Sequence, residues 1–402
     1  MDRSRWHAAA DGVGRRGRKL RVREMIPLLE RLAPPELALA GDPIGLAVGS
    51  ETKEVRRAMV ALEVTEAVVE RAVEANADLL VVHHAPLYRP MKALRTDQPP
   101  GKLLARLLAH DMAVYVMHTN ADVAPDGLGD AFAERLGLRE VEVLEVTFRE
   151  PLYKLVVFVP TSHHDQVLRA IGDAGAGWIG NYSHCTFNTP GTGTFWAREG
   201  ADPYLGNVGE LTRAEEIRLE TIVPASRRAA VIQAMLKAHP YEEVAYDLYP
   251  LANDGFAYGL GRVGRLSARR SLASLTADVA ERFDLAGVRF VGAPERIIER
   301  AAVVSGSGAR YIEAAARQGA DVLITGDIGY HDARDAEALG LALIDGGHHM
   351  EKIFVPHFAA RLTSVLRESG IGEVEVLMAD IDDDPFRFWV RESEVPRGFA
   401  ER

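Results

Sequence analysis

Three stretches of this chain end a run of apolar residues in groups that bind metals or move protons. The first is Asp78-Leu79-Leu80-Val81-Val82-His83-His84-Ala85-Pro86. The second runs from Met112 through Val114, Tyr115 and Val116 to His118, Asn120 and Asp122. The third runs from Leu341 through Leu343 and Ile344 to Asp345, His348, His349 and Glu351. Imidazole suits zinc, iron, copper or nickel, and carboxylates extend the choice toward manganese. Five or more such groups exceed what one tetrahedral ion needs. Two ions about 3.5–4 Å apart, bridged by a carboxylate, use them all.

Each apolar run reads as a buried strand of a parallel sheet covered on both faces. Its carboxyl end is where open α/β sheets place their ligands. Neighbouring strand residues point to opposite faces, so His83 and His84 share one site only if the chain leaves strand geometry there. Pro86 enforces that departure. Between the strands lie amphipathic helices. Val22, Ile26, Leu29 and Leu32 space as a helix that stops at Pro34-Pro35, Thr65 caps a helix over 66–76, and 99–110 is the next. This alternation specifies an α/β domain.

The pattern returns near the C-terminus. A strand at 301–304, a turn at Ser305-Gly306-Ser307-Gly308 and a helix over 310–318 lead to Ala320-Asp321-Val322-Leu323-Ile324-Thr325-Gly326-Asp327. That segment echoes Ala77-Asp78 and the strand after it. Two related halves facing one another, with metals between them, are the expected architecture. The residues between them differ in character. Strands at 153–160, 186–187, 193–196, 218–224 and 239–247, with helices over 165–174 and 227–238, follow a β-α-β-β-α-β order, that of a ferredoxin-like module of about 100 residues. The expected division is a disordered basic leader at 1–21, a first half at 22–150, an inserted domain at 151–252 and a second half at 253–402.

Composition narrows the partners. With 47 Lys and Arg against 58 Asp and Glu, the net charge of −11 disfavours nucleic acid, whose phosphates need cations. The lone cysteine, Cys185, excludes an intrachain disulfide and fits a reducing, cytoplasmic setting. No apolar run approaches the roughly 18 residues of a membrane span. A small-molecule substrate or ligand is the expected partner.

The ordered motifs resemble the Nif-three-like dinuclear-metal family, whose bacterial members are labelled GTP cyclohydrolase type I homologues. The resemblance rests on Gly41 to Gly49, His83-His84-Ala85-Pro86, His118 to Asp122, Thr325-Gly326-Asp327 with His331-Asp332, and Gly347-His348-His349-Met350-Glu351. In the insert it rests on Gly180 to Cys185, Gly191 to Phe195 and His239 to Tyr246. It implies two divalent metal ions per chain (zinc, iron or manganese), a PII/CutA-like insert and a homohexamer. It implies His83, His84, Asp122, His348 and Glu351 as ligands, with His118 at or near the metals. His348, which directly follows Gly347 and lies three residues before Glu351, is preferred to His349. The chain departs from the family at Gly41, where a tryptophan is usual.

Asp327 and His331 read either as groups that orient ligands or as a general acid and base. Ser305 to Gly308 reads as a phosphate cradle or as a turn that needs glycine. His163, His164, His184 and Cys185 make no complete metal set, and His239, Glu242 and Glu243 read as structural or interfacial. Two function classes stand: a metal-dependent hydrolase acting on a nucleotide or phosphorylated small molecule, and a non-catalytic metal-binding or regulatory protein whose insert senses a ligand or gates the site.

Overall fold

The strand Leu79–Val82 is buried at all four residues, and a second parallel strand flanks it on each side, Arg57–Ala61 and Ala113–Val116. In the computed structural model, which describes residues 20–389, these form the centre of a five-stranded sheet. Gly45–Val48 closes one edge antiparallel to Ala113–Val116. The other edge comes from far along the chain: Glu375–Met378 pairs parallel with Arg57–Ala61. The two halves expected from sequence therefore exchange a strand. The proposed leader lies outside the described residues up to residue 19. Leu20 and Arg21 pair with Glu54 and Val55 and belong to the fold.

A six-stranded sheet follows the order Arg289–Val291, Ala342–Asp345, Val322–Gly326, Ile297–Ser307, Ala257–Ser271, Arg139–Arg149. Its Ile297–Ser307, Val322–Gly326 and Ala342–Asp345 strands are parallel, and the strands flanking them are antiparallel. Alternate residues of both parallel sets enter one shared core. Val60, Leu79, Val81 and Tyr115 come from the first sheet, and Val303, Val322, Ile324 and Ile344 from the second. Helices Val22–Leu32, Leu272–Arg282 and Phe354–Glu368 supply Met25, Leu29, Leu275, Phe354 and Phe358 to the same core. Leu80, Val82 and Val114 point the other way, onto helices Glu66–Glu74 and Gly101–Ala109. This two-sided burial is why the strands read as unbroken apolar runs.

The repeated Ala-Asp has one physical job in both sheets. Asp78 Oδ2 accepts the backbone N–H groups of Arg56 and Arg57 at 2.8 and 3.1 Å. Asp321 Oδ2 accepts those of Glu299 and Arg300, both at 2.9 Å. Each carboxylate pins the start of its parallel neighbour and so fixes the register that delivers the strand ends.

Residues 148–257 form a compact unit distinct from the one built by the flanking chain. Its strands Leu152–Pro160, Thr186–Trp196, Leu211–Pro224 and Tyr246–Leu251, with helices His164–Asp173 and Arg228–Ala238, follow the order β-α-β-β-α-β. They make one antiparallel sheet in the order Tyr246–Leu251, Leu152–Pro160, Leu211–Pro224, Thr186–Trp196. Two short strands at 186–187 and 193–196 were expected; one unbroken strand is found. Pro190, Gly191 and Gly193 look like turn residues, but an edge strand tolerates proline. The strand expected from 218 begins at Leu211, and the closing strand expected over 239–247 is Tyr246–Leu251. Among the described residues, no helix is long and apolar enough to cross a membrane.

Removing Asp321 strips two backbone donors of their acceptor. Asp321→Ala should cost about 1–2 kcal/mol, seen as a lower urea midpoint with an unchanged slope. An unchanged midpoint would show that water replaces the carboxylate.

Candidate metal centre

His83 follows the last residue of Leu79–Val82, is fully buried and lies with its ring 4.9 Å from that of Phe354. Its Nδ1 is 2.9 Å from the backbone oxygen of Met117. A carbonyl only accepts, so Nδ1 carries a proton and Nε2 is the nitrogen turned inward. Nε2 faces two carboxylate oxygens, Glu351 Oε1 at 3.6 Å and Asp122 Oδ1 at 3.9 Å.

The same construction recurs. His84 Nδ1 meets Glu63 Oε1 at 2.9 Å, and its Nε2 lies 3.0 Å from Glu351 Oε2. His348 Nδ1 meets Asp327 Oδ2 at 2.6 Å, and its Nε2 lies 3.2 Å from the same Glu351 oxygen. His118 Nδ1 meets Asp42 Oδ1 at 2.7 Å. The rings of His83 and His84 lie 4.8 Å apart, because strand geometry ends at Val82. Donor atoms approach within 4.8 Å in three overlapping groups: His83, His84, His118; His84, His348, Glu351; and His83, Asp122, Glu351.

Lone pairs converging in this way repel unless a cation stands among them. His83 Nε2 and Glu351 Oε2 are buried and have no well-formed hydrogen-bond partner. Atoms bound to one ion at about 2.0–2.2 Å sit roughly 3–4 Å apart, which matches these spacings. An outer acceptor on each Nδ1 is the arrangement that orients metal-binding histidines and raises their basicity. The residues fit a divalent ion with nitrogen and oxygen ligands.

Backbone geometry makes the approach possible. Ser305-Gly306-Ser307 is the end of a strand, not a turn. Gly306 has φ of +55°, and a Cβ there would lie 2.5 Å from Glu351 Oε1 and 3.2 Å from His348 Nε2. The glycine is required by close approach to Glu351 and His348, and Ser305 Oγ donates to Asp122 Oδ1 at 2.7 Å. Asp345 holds the loops that carry Asp327 and His348: its oxygens accept from the N–H of Ile328 and of Gly347, and it pairs with Arg289. Asp42 accepts both N–H and O–H of Thr119, whose Oγ1 in turn accepts from Leu39 N.

Protons compete for the same lone pairs. Burial lowers the basicity of His84, but Glu351 and Glu63 outweigh it and lift its pKa to about 10. Glu351 likewise lifts His348 to about 9, against burial. Burial would raise Glu351, yet the surrounding histidines hold it well below the usual carboxylate range. Asp122 is pushed up by burial.

Sequence reasoning singled out His83, His84, His118, Asp122, His348 and Glu351, and the fold brings all six together. Asp327 reaches the group through His348. His331 does not: it is exposed on helix Tyr330–Ala338, edge-on to Tyr330. His349 turns toward Asp382 at 3.5 Å. Glu63 was missed, since nothing local marks it, and Asp42 was read only as part of a motif.

The family model described as Duf34/NIF3 (NGG1p interacting factor 3) matches residues 20–385. The chain is 45% identical over 365 residues to the GTP cyclohydrolase 1 type 2 homolog of Bacillus subtilis, covering 91% of this chain and 98% of that one. It is 36% identical over 371 residues to the protein of the same name in Mycobacterium tuberculosis, covering 91% and 97%. The crystal structure of a Bacillus cereus protein related to NIF3 superposes with a TM-score of 0.87 at 44% identity, covering 92% of this chain and 100% of that one.

Because His84 and His348 are raised, both are protonated at pH 7 in the metal-free chain and must release protons to bind a metal. Apparent zinc affinity should therefore climb from pH 6 toward pH 9. Calorimetry in buffers of different ionisation enthalpy should show proton release at pH 7 that shrinks as the pH passes about 9. Uptake without proton release would contradict the coupling.

Proposed function

The chain belongs to the DUF34/NIF3 family, and we propose that it holds two divalent metal ions and uses them as a hydrolase on a nucleotide or phosphorylated small molecule. The observation that carries this reading is the division of Glu351. Its Oε1 faces His83, beside Asp122, while its Oε2 faces His84 and His348. One carboxylate serves two sets of ligands, which is what a bridging residue does.

In this reading His83 and Asp122 hold one ion, His84 and His348 the other, and His118 completes the set from beside His83 and His84. Zinc, iron or manganese suits these ligands. A metal pair would lower the pKa of water and polarise the attacked carbon or phosphorus. The chain's own groups position the reaction. Glu63, Asp327 and Asp42 fix the ring orientations of His84, His348 and His118. Asp327, 42% exposed at its side chain, uses only Oδ2 toward His348 among the described residues, which leaves Oδ1 at the solvent edge to pass a proton on. His331 has no part in the reaction as drawn. Burial of His83, Asp122 and Glu351 keeps the inner side of the centre dry.

The name carried by the relatives places GTP first among substrates to try. We read the 148–257 unit as the ferredoxin-like insert, and the assembly as a hexamer of 43.9 kDa chains. Light scattering should then give six times the chain mass; a monomer unchanged by added metal would remove the hexamer.

Elemental analysis after reconstitution should find two ions per chain. Glu351→Ala should empty both positions, whereas loss of a single ion would reject bridging. The metal-loaded protein, screened over nucleotides and phosphoesters, should turn over one class, and Glu351→Ala should lower that rate by at least 100-fold. Two bound ions with no turnover across the panel would establish the binding-protein reading instead.

A further inference from the structure

The 148–257 unit contains motif residues that the metal chemistry leaves unused. Gly191 to Phe195 and His239 to Tyr246 meet around one side chain, Glu216, which lies on Leu211–Pro224 and is only 9% exposed. Tyr241 donates its hydroxyl to Glu216 Oε1 at 2.9 Å. Burial, then this carboxylate, pushes the Tyr241 pKa up, so the phenol stays a donor. No Lys, Arg or His pairs with Glu216 among the described residues. Its Oε2 lies against the backbone of Gly193, where a Cβ would come within 2.0 Å. The glycine makes room for a carboxylate.

Aromatic rings cluster about Tyr241, the phenol that donates to Glu216. Phe195 and Tyr204 lie 6.3 and 6.1 Å from Tyr241, and His163 stands edge-on to Tyr204 at 5.4 Å. Two loops hold the rings in place. Asp202 N–H donates to Glu242 Oε1 at 2.9 Å, tying the Tyr204 loop to the Tyr241 loop. His239 Nδ1 accepts from Tyr241 N, so its Nε2–H donates to the backbone oxygen of Phe158 at 3.0 Å. His239 is thereby neutral and structural. Tyr204 is half exposed, so the group opens to solvent.

A loop anchor needs only a neutral acceptor. A nearly buried carboxylate with one phenol donor and no cationic side chain paired to it is more than a loop anchor requires. A carboxylate without a cationic partner, next to a cluster of aromatic rings, is the combination that recognises an organic cation. Among the described residues Glu216 belongs to no cluster of three or more side chains that could hold a metal ion. We propose that Glu216, Tyr241, Tyr204 and Phe195 form a binding site for a small organic ammonium ion, the carboxylate taking the charge and the rings its alkyl groups. The site does not depend on the metal reading.

Titration of the full-length protein with choline, and with its uncharged carbon isostere 3,3-dimethyl-1-butanol, tests this. Choline should bind saturably and the isostere at least tenfold more weakly. Glu216→Gln keeps an acceptor for Tyr241 and removes the charge, so choline affinity should fall tenfold or more. Tyr204→Leu keeps apolar bulk and removes a ring face, and affinity should fall several-fold. Absence of choline binding, equal binding of the isostere, or unchanged binding in Glu216→Gln would overturn the proposal. Should Glu216→Gln lower the melting temperature, Tyr204→Leu decides alone, and unchanged affinity there overturns it.

Discussion

The constraint on which the structure depends is electrostatic: lone pairs of four histidines and two carboxylates are aimed at a common space. Every outer ring nitrogen is already committed, to Met117, Glu63, Asp327 or Asp42. The inner nitrogens therefore cannot rotate away to find donors. Only protons or metal ions relieve the repulsion, and the raised basicity of His84 and His348 is the proton solution. The arrangement stores affinity for cations in the fold itself.

Holding such a centre requires rigid supports, and parallel strands provide them. Three strand ends, at Val82, Val116 and Asp345, present their following residues to one place. Asp78 and Asp321 set the registers from the opposite ends of their strands. Gly306 and Gly347, both at positive φ, let backbone approach where side chains would collide or the chain must turn sharply. Little of this can shift without displacing a residue of the cluster, since both sheets share a core.

Much of this was legible in the sequence because burial on both faces leaves an apolar run ending in unusual polar residues. The parallel strands that end at the cluster, the six converging residues and the Ala-Asp echo were visible in that way, whereas the antiparallel strands Arg139–Arg149, Ala257–Ser271 and Arg289–Val291 were not. The outer partners were not. Glu63 is one glutamate among many, and only the position of His84 gives it meaning. The role of Gly306 was ambiguous, since a turn and a close approach both favour glycine. Thr186–Trp196 was broken in two because Pro190 and its glycines speak for a turn locally, while pairing with Leu211–Thr221 overrides them. The strand Glu375–Met378 was invisible for a different reason: its partner is remote, and local pattern carries no information about pairing.

That last strand bears on the order in which the molecule can be made. Arg57 is hydrogen-bonded to Glu375 across 318 positions of chain. During synthesis the edge of Arg57–Ala61 waits, unpaired, until Glu375–Met378 has left the ribosome. Long-range pairing of this kind forms late and leaves an exposed strand edge meanwhile. His348 and Glu351 emerge only shortly before Glu375, so the nascent N-terminal half carries His83, His84 and His118 without the carboxylate they converge on. The complete cluster thus belongs to the later part of synthesis.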